Sequence, residues 1–552
     1  MCDGLIISKN ASPVAFDGKG AICYTLLKMH AFLLAIAIVA HEPGYTTSLA
    51  NHLQRWLRGE QVASKVVTPK EMPAALVQER LAFLVGFNEP TAAEMKTLQA
   101  FRARGGKLVV FHSASPALGA LMGVKPLGYT PARYPGCWSR MNFASKTPAG
   151  LPSSILQTST VLQRAVPVEG KGRVIATWSD RTGKSAGDAA WIVTGGGFWM
   201  THVLLADGDE HLKAQLLGAI VGSVEPKLWS LAAHNARVAA ADKATRAYAV
   251  QQVPRKGEIH SVWDHSGCGL YAGDWPRTFR VLKASRVTDL FVNVAGAGFA
   301  HYPSSVLPRS KMFAQEGDQL AACLAAARGT GIRVHAWILC FNATRATPDR
   351  LEVFRQRGWR LKTKTGKLSE YLDPSNPNVR AYVLSAIDEI QAKYPVSGIH
   401  LDFVRWYEQS VRPKDPASSV SAFVTEARRR VRRPKWLTAA VLGKYPTCIA
   451  SVGQDWDSWL NMNVVDYVVP MDYTESNEKF VSFLAQHAQN VSHARRTIAG
   501  IGVTANESRL GARQVIDQVR LARQYQLAGV SLFDLDVTLE KNILPYLRMG
   551  IW

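Results

Sequence analysis

The run Ser397-Gly398-Ile399-His400-Leu401-Asp402-Phe403-Val404-Arg405-Trp406 decides the fold of this chain. A strand turns successive side chains to opposite faces, so Ile399, Leu401 and Phe403 are expected on one face and His400 and Asp402 on the other. Further along, Val468-Val469-Pro470-Met471-Asp472-Tyr473 echoes it. In a closed parallel barrel the second face is the interior, and the chemistry sits at its C-terminal rim.

Working outward, eight apolar runs end in carboxylates, amides or aromatics: Ile259–Asp264, Asp289–Val294, Arg333–Phe341, Gly398–Phe403, Trp436–Leu442, Val465–Asp472, Thr497–Val503 and Gly529–Leu535. Helical segments fall between them at 317–328, 379–393, 419–430, 477–487 and 512–525. Eight β/α units over residues 257–552 predict a (β/α)8 TIM barrel. Residues 31–226 alternate short strands and helices, which predicts an α/β domain on an open parallel sheet of flavodoxin-like type. Residues 227–256, Ala-rich and bounded by Pro226 and Pro254, read as a helical linker.

The 552 residues are too many for one core. With 47% apolar and 20% charged residues the composition is that of a globular protein. The seven cysteines form no CxxC or Cys/His cluster, so no metal site, disulfide framework or cofactor is expected. A net charge of +22 favours anionic partners. Its densest cluster, Arg428-Arg429-Arg430-Val431-Arg432-Arg433-Pro434-Lys435, closes a helix, where cations suit the dipole. It carries no interleaved aromatics or nucleic-acid motif, so nucleic acid is not an expected partner. Residues 28–40 admit two readings. One is a signal peptide placing the protein in a bacterial periplasm or outside the cell; the other is a first buried strand of a cytoplasmic protein, with residues 1–30 as a leader or disordered segment. No segment has the length of an integral membrane helix.

Acetal cleavage needs two carboxyl groups flanking the bond, one stabilising or attacking the anomeric carbon and one protonating the leaving oxygen. Asp402 and Asp472 come from strands that are next but one, and are expected to converge as nucleophile and acid/base of a retaining glycosidase. Sugars also require flat apolar surfaces beside hydrogen-bonding groups. Trp263, Asp264, His265, Asn293, Trp337, Asn342, His400, Arg405, Trp406, Trp456, Tyr473 and Asp534, at or near strand ends, are the expected carbohydrate-binding residues. The alternative is a glycan-binding barrel without catalysis.

Two resemblances accompany these readings. Val262-Trp263-Asp264-His265-Ser266-Gly267, Phe299-Ala300-His301-Tyr302-Pro303-Ser304, Gly317-Asp318-Gln319-Leu320, Leu372-Asp373-Pro374-Ser375-Asn376-Pro377, Gly398-Ile399-His400-Leu401-Asp402, Ser451-Val452-Gly453-Gln454-Asp455-Trp456 and Pro470-Met471-Asp472-Tyr473-Thr474 resemble the bacterial glycosylhydrolase-like family 10. This implies a carbohydrate-active TIM-barrel hydrolase of the cell envelope. Where that family usually has an aromatic-Ile-Arg-Tyr-Pro run, this chain has Phe403-Val404-Arg405-Trp406-Tyr407. Chitinase-type barrels require a glutamate where Val404 stands, which argues against substrate-assisted chitinolysis. The first domain, through Gly105-Gly106-Lys107-Leu108-Val109-Val110-Phe111-His112-Ser113-Ala114, resembles the class I glutamine-amidotransferase-like fold of trehalose-utilisation type. The turn after that strand lacks the nucleophilic cysteine, so an accessory role is implied, with His112 structural.

Overall fold

The computed structural model describes residues 36–41, 44–134, 136–144, 148–180, 183–206, 209–271 and 273–552. The expected leader and residues 28–35 of the signal-peptide segment lie outside the described residues; Ile36–Ala40 is a buried strand. The chain divides into two compact units, Met1–Ala239 and Ala240–Trp552, with the division falling inside the helix Leu231–Ala249.

The first unit contains strands β1 (Ile36–Ala40), β2 (Ser64–Val67), β3 (Leu81–Val85), β4 (Lys107–Phe111), β5 (Val124–Pro131), β6 (Trp138–Phe143), β7 (Ser154–Ser159), β8 (Val161–Pro167), β9 (Gly172–Ser179), β10 (Ser185–Thr194) and β11 (Gly197–Met200). Nine of them form one sheet in the order β2-β1-β3-β4-β11-β10-β9-β6-β7, and β5 pairs with β8 in a separate ribbon. The sheet is mixed: β2, β1, β3, β4 and β11 run parallel, whereas β10, β9, β6 and β7 are antiparallel. The wholly parallel sheet expected from sequence is therefore its first half. Both faces of that half are buried, as a parallel sheet requires. Ile36 and Ile38 pack with Leu49, Leu53 and Trp56 of the helix Tyr45–Gly59, while Ala37 and Val39 pack with Leu98 and Phe101 of the helix Ala92–Ala103.

The second unit contains β12 (Ile259–Asp264), β13 (Asp289–Gly296), β14 (Phe299–Ala300), β15 (Arg333–Leu339), β16 (Arg360–Lys362), β17 (Leu368–Leu372), β18 (Gly398–Asp402), β19 (Trp436–Leu442), β20 (Tyr467–Met471), β21 (Ile498–Gly502) and β22 (Gly529–Phe533). Eight of these, β12, β13, β15 and β18 to β22, form a parallel barrel that closes through the β12–β13 and β12–β22 pairs. The eight-stranded barrel matches the sequence expectation strand for strand. The β16–β17 hairpin lies in the connection between the third and fourth barrel strands, β15 and β18.

Alternation along each strand separates two cores. Ile399, Leu401, Val468 and Val530 face the surrounding helices, whereas Trp263, Phe291, Trp337, Val469 and Ile498 fill the barrel itself. The glycines of β21 make room for those rings. A Cβ at Gly500 would lie 3.0 Å from the Trp263 ring, and one at Gly502 would lie 2.8 Å from Cγ of Tyr473. Among the described residues no helix is long and apolar enough to cross a membrane.

Candidate active site

Asp402 ends β18 on the inner face of the barrel. The Trp337 indole N–H on the neighbouring β15 donates to its Oδ2 at 3.1 Å, and the Phe403 backbone N–H donates to Oδ1 at 2.6 Å. Burial raises the carboxyl above its ordinary value, opposed by the Arg405 charge and these two donors. Immediately afterwards Phe403 takes a left-handed φ of 47°, which breaks strand alternation. Its ring consequently joins the inner cluster rather than the Ile399–Leu401 face expected from sequence, and Val404 packs among the helices.

Asp472 does not join Asp402. Val469 and Tyr473 face the interior, so Asp472, with Val468, lies on the outward face of its strand. Its carboxylate is 0% exposed and sits 3.0 and 3.1 Å from Nε2 of His487 on the helix Asn477–His487. It also abuts Gly443, where a Cβ would come within 2.0 Å of Oδ1. Burial raises its pKa and His487 lowers it. The expected convergence of the two acids across the mouth is thus corrected: one side chain looks inward and the other into the helix layer.

What surrounds Asp402 is a circuit of rings. Trp337 lies 5.8 Å from His265, His265 lies 6.0 Å from Phe533, and Phe533 stacks at 5.5 Å on Tyr473. Tyr473 closes the circuit electrostatically. Its phenol is pushed well above its ordinary value by burial first, and then by the negative charges of Asp402 and Asp534. Asp534 follows Phe533, and its Oδ1 accepts the backbone N–H groups of His265 (3.1 Å) and Leu535 (2.7 Å). Burial pushes this carboxyl up to about 8 against those two donors, and the charges of Asp264 and Asp536 add to the rise. The His265 imidazole, hemmed in by the Trp337 and Phe533 rings, is held below its usual value by desolvation and by the Arg345 charge.

Several expected sugar ligands have other partners. Trp263 is buried inside the barrel and donates to Nε2 of His400 at 2.9 Å, while Nδ1 of His400 lies 2.8 Å from the Thr438 hydroxyl. His400, stacked on Phe291 at 4.2 Å and held neutral by burial, is a core residue rather than a ligand. Asp264 is buried and accepts the Gly267 and Gly269 N–H groups and the Ser266 hydroxyl, so it shapes the first rim loop. Trp406 donates to the Pro416 carbonyl at 2.9 Å and Trp456 packs edge-on to His487 at 5.4 Å; both belong to the helix-facing core, not to a stacking platform. Asn342 turns its Oδ1 to the Thr344 N–H and hydroxyl, bending the loop after β15. Asn293 is fully buried with neither amide atom partnered among the described residues, which suits an internal water.

Two residues not singled out from sequence stand at this rim. Arg345, in the loop bent by Asn342, holds its guanidinium 4.3 Å over the Phe299 ring. Tyr371, at the end of the inserted hairpin, stacks on Tyr407 at 4.1 Å and lies 6.0 Å from Phe403. Nothing in the local sequence distinguishes either from an ordinary loop residue. Among the described residues no group of three or more His, Cys, Asp or Glu side chains is arranged to hold a metal ion.

Comparison with known proteins finds partial matches to glycosyl hydrolase-like proteins. The family model described as Glycosyl hydrolase-like 10 matches residues 277–429, a stretch containing Trp337, Arg345, Asp402 and Arg405 and ending before Asp472 and Asp534. Glycosyl hydrolase DigH of Escherichia coli strain K12 is 26% identical over 141 residues, covering 22% of this chain and 31% of that relative. The chain therefore spans less than a third of its length. Among solved structures, the glycoside hydrolase domain of PgaB (BpsB) from Bordetella bronchiseptica has a TM-score of 0.41 at 12% identity, covering 53% of this chain and 99% of that one. A class V chitinase from Pseudomonas fluorescens Pf-5 has a TM-score of 0.35 at 10% identity, covering 53% and 99%. The family match and the curated relative support a glycosyl hydrolase-like function for the barrel.

Proposed function

We propose that the barrel hydrolyses glycosidic bonds of a poly- or oligosaccharide, with Asp402 as the charged carboxylate and Asp534 as the proton donor. The observation that carries this reading is the Asp402 carboxylate on the inner face of β18, held by the Trp337 N–H at 3.1 Å. Glycoside cleavage needs one carboxylate ionised and one carboxylic acid protonated at the same pH. Burial raises both carboxyls; Arg405, the Phe403 N–H and Trp337 oppose the rise at Asp402, whereas the charges of Asp264 and Asp536 add to it at Asp534, so Asp402 is the one assigned the anion and Asp534 the acid. Asp402 stabilises or attacks the anomeric carbon as the bond to the leaving oxygen breaks. Asp534 gives that oxygen its proton, and water supplies the hydroxyl of the new reducing end. Tyr473, under the influence of both carboxyls, offers a hydroxyl to the sugar, and the aromatic circuit offers apolar faces. Retention, expected from a close Asp402–Asp472 pair, loses that support because Asp472 faces His487.

The test is reducing-end release from a panel of polysaccharides, followed by Asp534→Asn on matched glycosides. Loss of activity on the polysaccharide with recovery on a dinitrophenyl glycoside, whose leaving group needs no proton, is the expected outcome. Equal losses on both would remove Asp534 as the acid. One observation, the sequestration of Asp472, favours a second reading: a glycan-binding barrel without catalysis. That reading requires saturable polysaccharide binding with no product.

The first unit we read as an amidotransferase-like accessory domain. The position after β4 is taken by His112, with a left-handed φ of 51°, where a nucleophilic cysteine would be needed. Burial, then the charge of His202, pushes its imidazole down to about 4. The full chain is expected to release no ammonia from glutamine.

A further inference from the structure

We propose that Arg405 and Arg345 recognise a carboxylate carried by the sugar bound at the barrel mouth, so that the preferred glycan is an acidic one. The inference rests on the glycan reading above. Arg405 follows Asp402 by three residues, and its side chain is only 11% exposed. Its Nε and Nη1 are buried with no hydrogen-bond partner among the described residues. The nearest carboxylate, on the half-exposed Glu408, approaches Nε no closer than 3.5 Å. The guanidinium lies 4.5 Å over the Phe403 ring, a contact made through its face that leaves its donors unused.

Other arginines with a buried, unpartnered Nε spend their remaining donors locally: Arg102 on the Gly106 carbonyl, Arg350 on the Tyr382 hydroxyl and Arg380 on the Pro374 carbonyl. Elsewhere in the barrel unit, carboxylates claim arginines outright, the buried Glu258 with Arg523 and the partly buried Asp466 with Arg428. Arg405 makes no such hydrogen bond among the described residues; its carboxylate neighbours are the half-exposed Glu408, at 3.5 Å, and Asp402, whose charge it offsets. Leaving a charged donor unsatisfied in a buried setting costs free energy that a ligand can recover. The rigid fork of a guanidinium matches the two oxygens of a carboxylate.

Arg345 supplies a second cation on the adjoining rim. It extends from the loop after β15, the strand that carries Trp337, and β15 pairs directly with β18, which carries Asp402. Among the described residues it has no carboxylate partner, and its contact is the Phe299 ring. The two cations thus follow the neighbouring strands that carry Trp337 and Asp402.

Calorimetric binding with the full chain tests this. The probes are a uronate oligosaccharide (hyaluronan hexasaccharide) and a muramate glycan strand bearing the lactyl carboxylate, each beside its carboxyl-reduced form. A phosphodiester-bearing glycan is titrated beside its dephosphorylated form. The expected result is about tenfold tighter binding of the acidic member in at least one carboxylate pair, with that preference erased in Arg405→Gln and partly kept in Arg405→Lys. Arg345→Gln, at an exposed site, is expected to weaken the same preference and serves if the Arg405 variants fold poorly. Equal binding of acidic and reduced forms by the wild type overturns the inference and leaves the glycan reading standing. So does a preference untouched by both arginine substitutions, or one confined to the phosphodiester. Binding of no probe at all overturns the inference and the glycan reading together.

Discussion

The Trp337 indole N–H and the Asp402 carboxylate, 3.1 Å apart on adjacent strands, form the hydrogen bond around which the barrel mouth is organised. A hydrogen bond to a charged group contributes about 1.5–3 kcal/mol. Trp337→Phe removes the donor that favours the anion, so the Asp402 pKa rises further. The acidic limb of kcat/KM is expected to move to higher pH, with kcat/KM at neutral pH falling about tenfold or more. A pH–rate profile of the variant checks both; an unmoved limb would deny Asp402 the role of the ionised group.

Asp472 and His487 answer to stability rather than chemistry. Both side chains are 0% exposed. Asp472→Ala strips His487 of its partner, and breaking such a buried pair costs about 3–5 kcal/mol. Urea unfolding should show a loss of that order, while turnover per folded molecule stays near wild type.

Asp534 gives the enzyme an alkaline limit. With its carboxyl at about 8, the proton donor is lost as pH rises through that value, and kcat/KM should fall there. Stability follows the same sign. The folded state holds this proton above the ordinary carboxyl range, where the unfolded chain has released it, so stability declines as pH rises toward 8. Asp534→Asn should flatten that decline and gain, after discounting for partial exposure, on the order of 1–2 kcal/mol above pH 8 relative to wild type. Thermal melts from pH 5 to about 9 measure it.

Gly502 keeps Tyr473 in the aromatic circuit. An added methyl group would lie 2.5 Å from Oγ of Ser508 and 2.8 Å from Cγ of Tyr473. Gly502→Ala is expected to cost about 1–3 kcal/mol of stability and to raise KM by displacing the Tyr473 ring. Unchanged KM would place Tyr473 outside the sugar contact.

How far the sequence could be read varied with the pattern each segment offered. Ile399-His400-Leu401-Asp402 alternates apolar and polar, which fixes its phase and puts Asp402 inside. Val468-Val469-Pro470-Met471 is apolar on both faces, so no residue reports which way Asp472 points; packing against Gly443 and His487 decides it. Trp406 and Trp456 lie close to rim acids in sequence, but the left-handed turn at Phe403 and the short helix at Trp456–Asn461 carry them into the outer core. In the first unit, the buried parallel strands stand out as apolar runs. Residues 174–178 and 190–194 also read as strands, but nothing in them marks an antiparallel direction; the polar Ser154–Ser159, and Val124–Pro131 of the separate ribbon with Pro126, Gly128 and Pro131, give no such signal.

The most direct test of the central assignment compares Asp402→Asn with Asp472→Asn on whichever glycan the wild type cleaves fastest, with each rate corrected for the folded fraction. Asp402→Asn should lose about a thousandfold in kcat, and Asp472→Asn should stay within about threefold of wild type. Wild-type turnover in Asp402→Asn, or equal collapse of both variants at full folding, would contradict it.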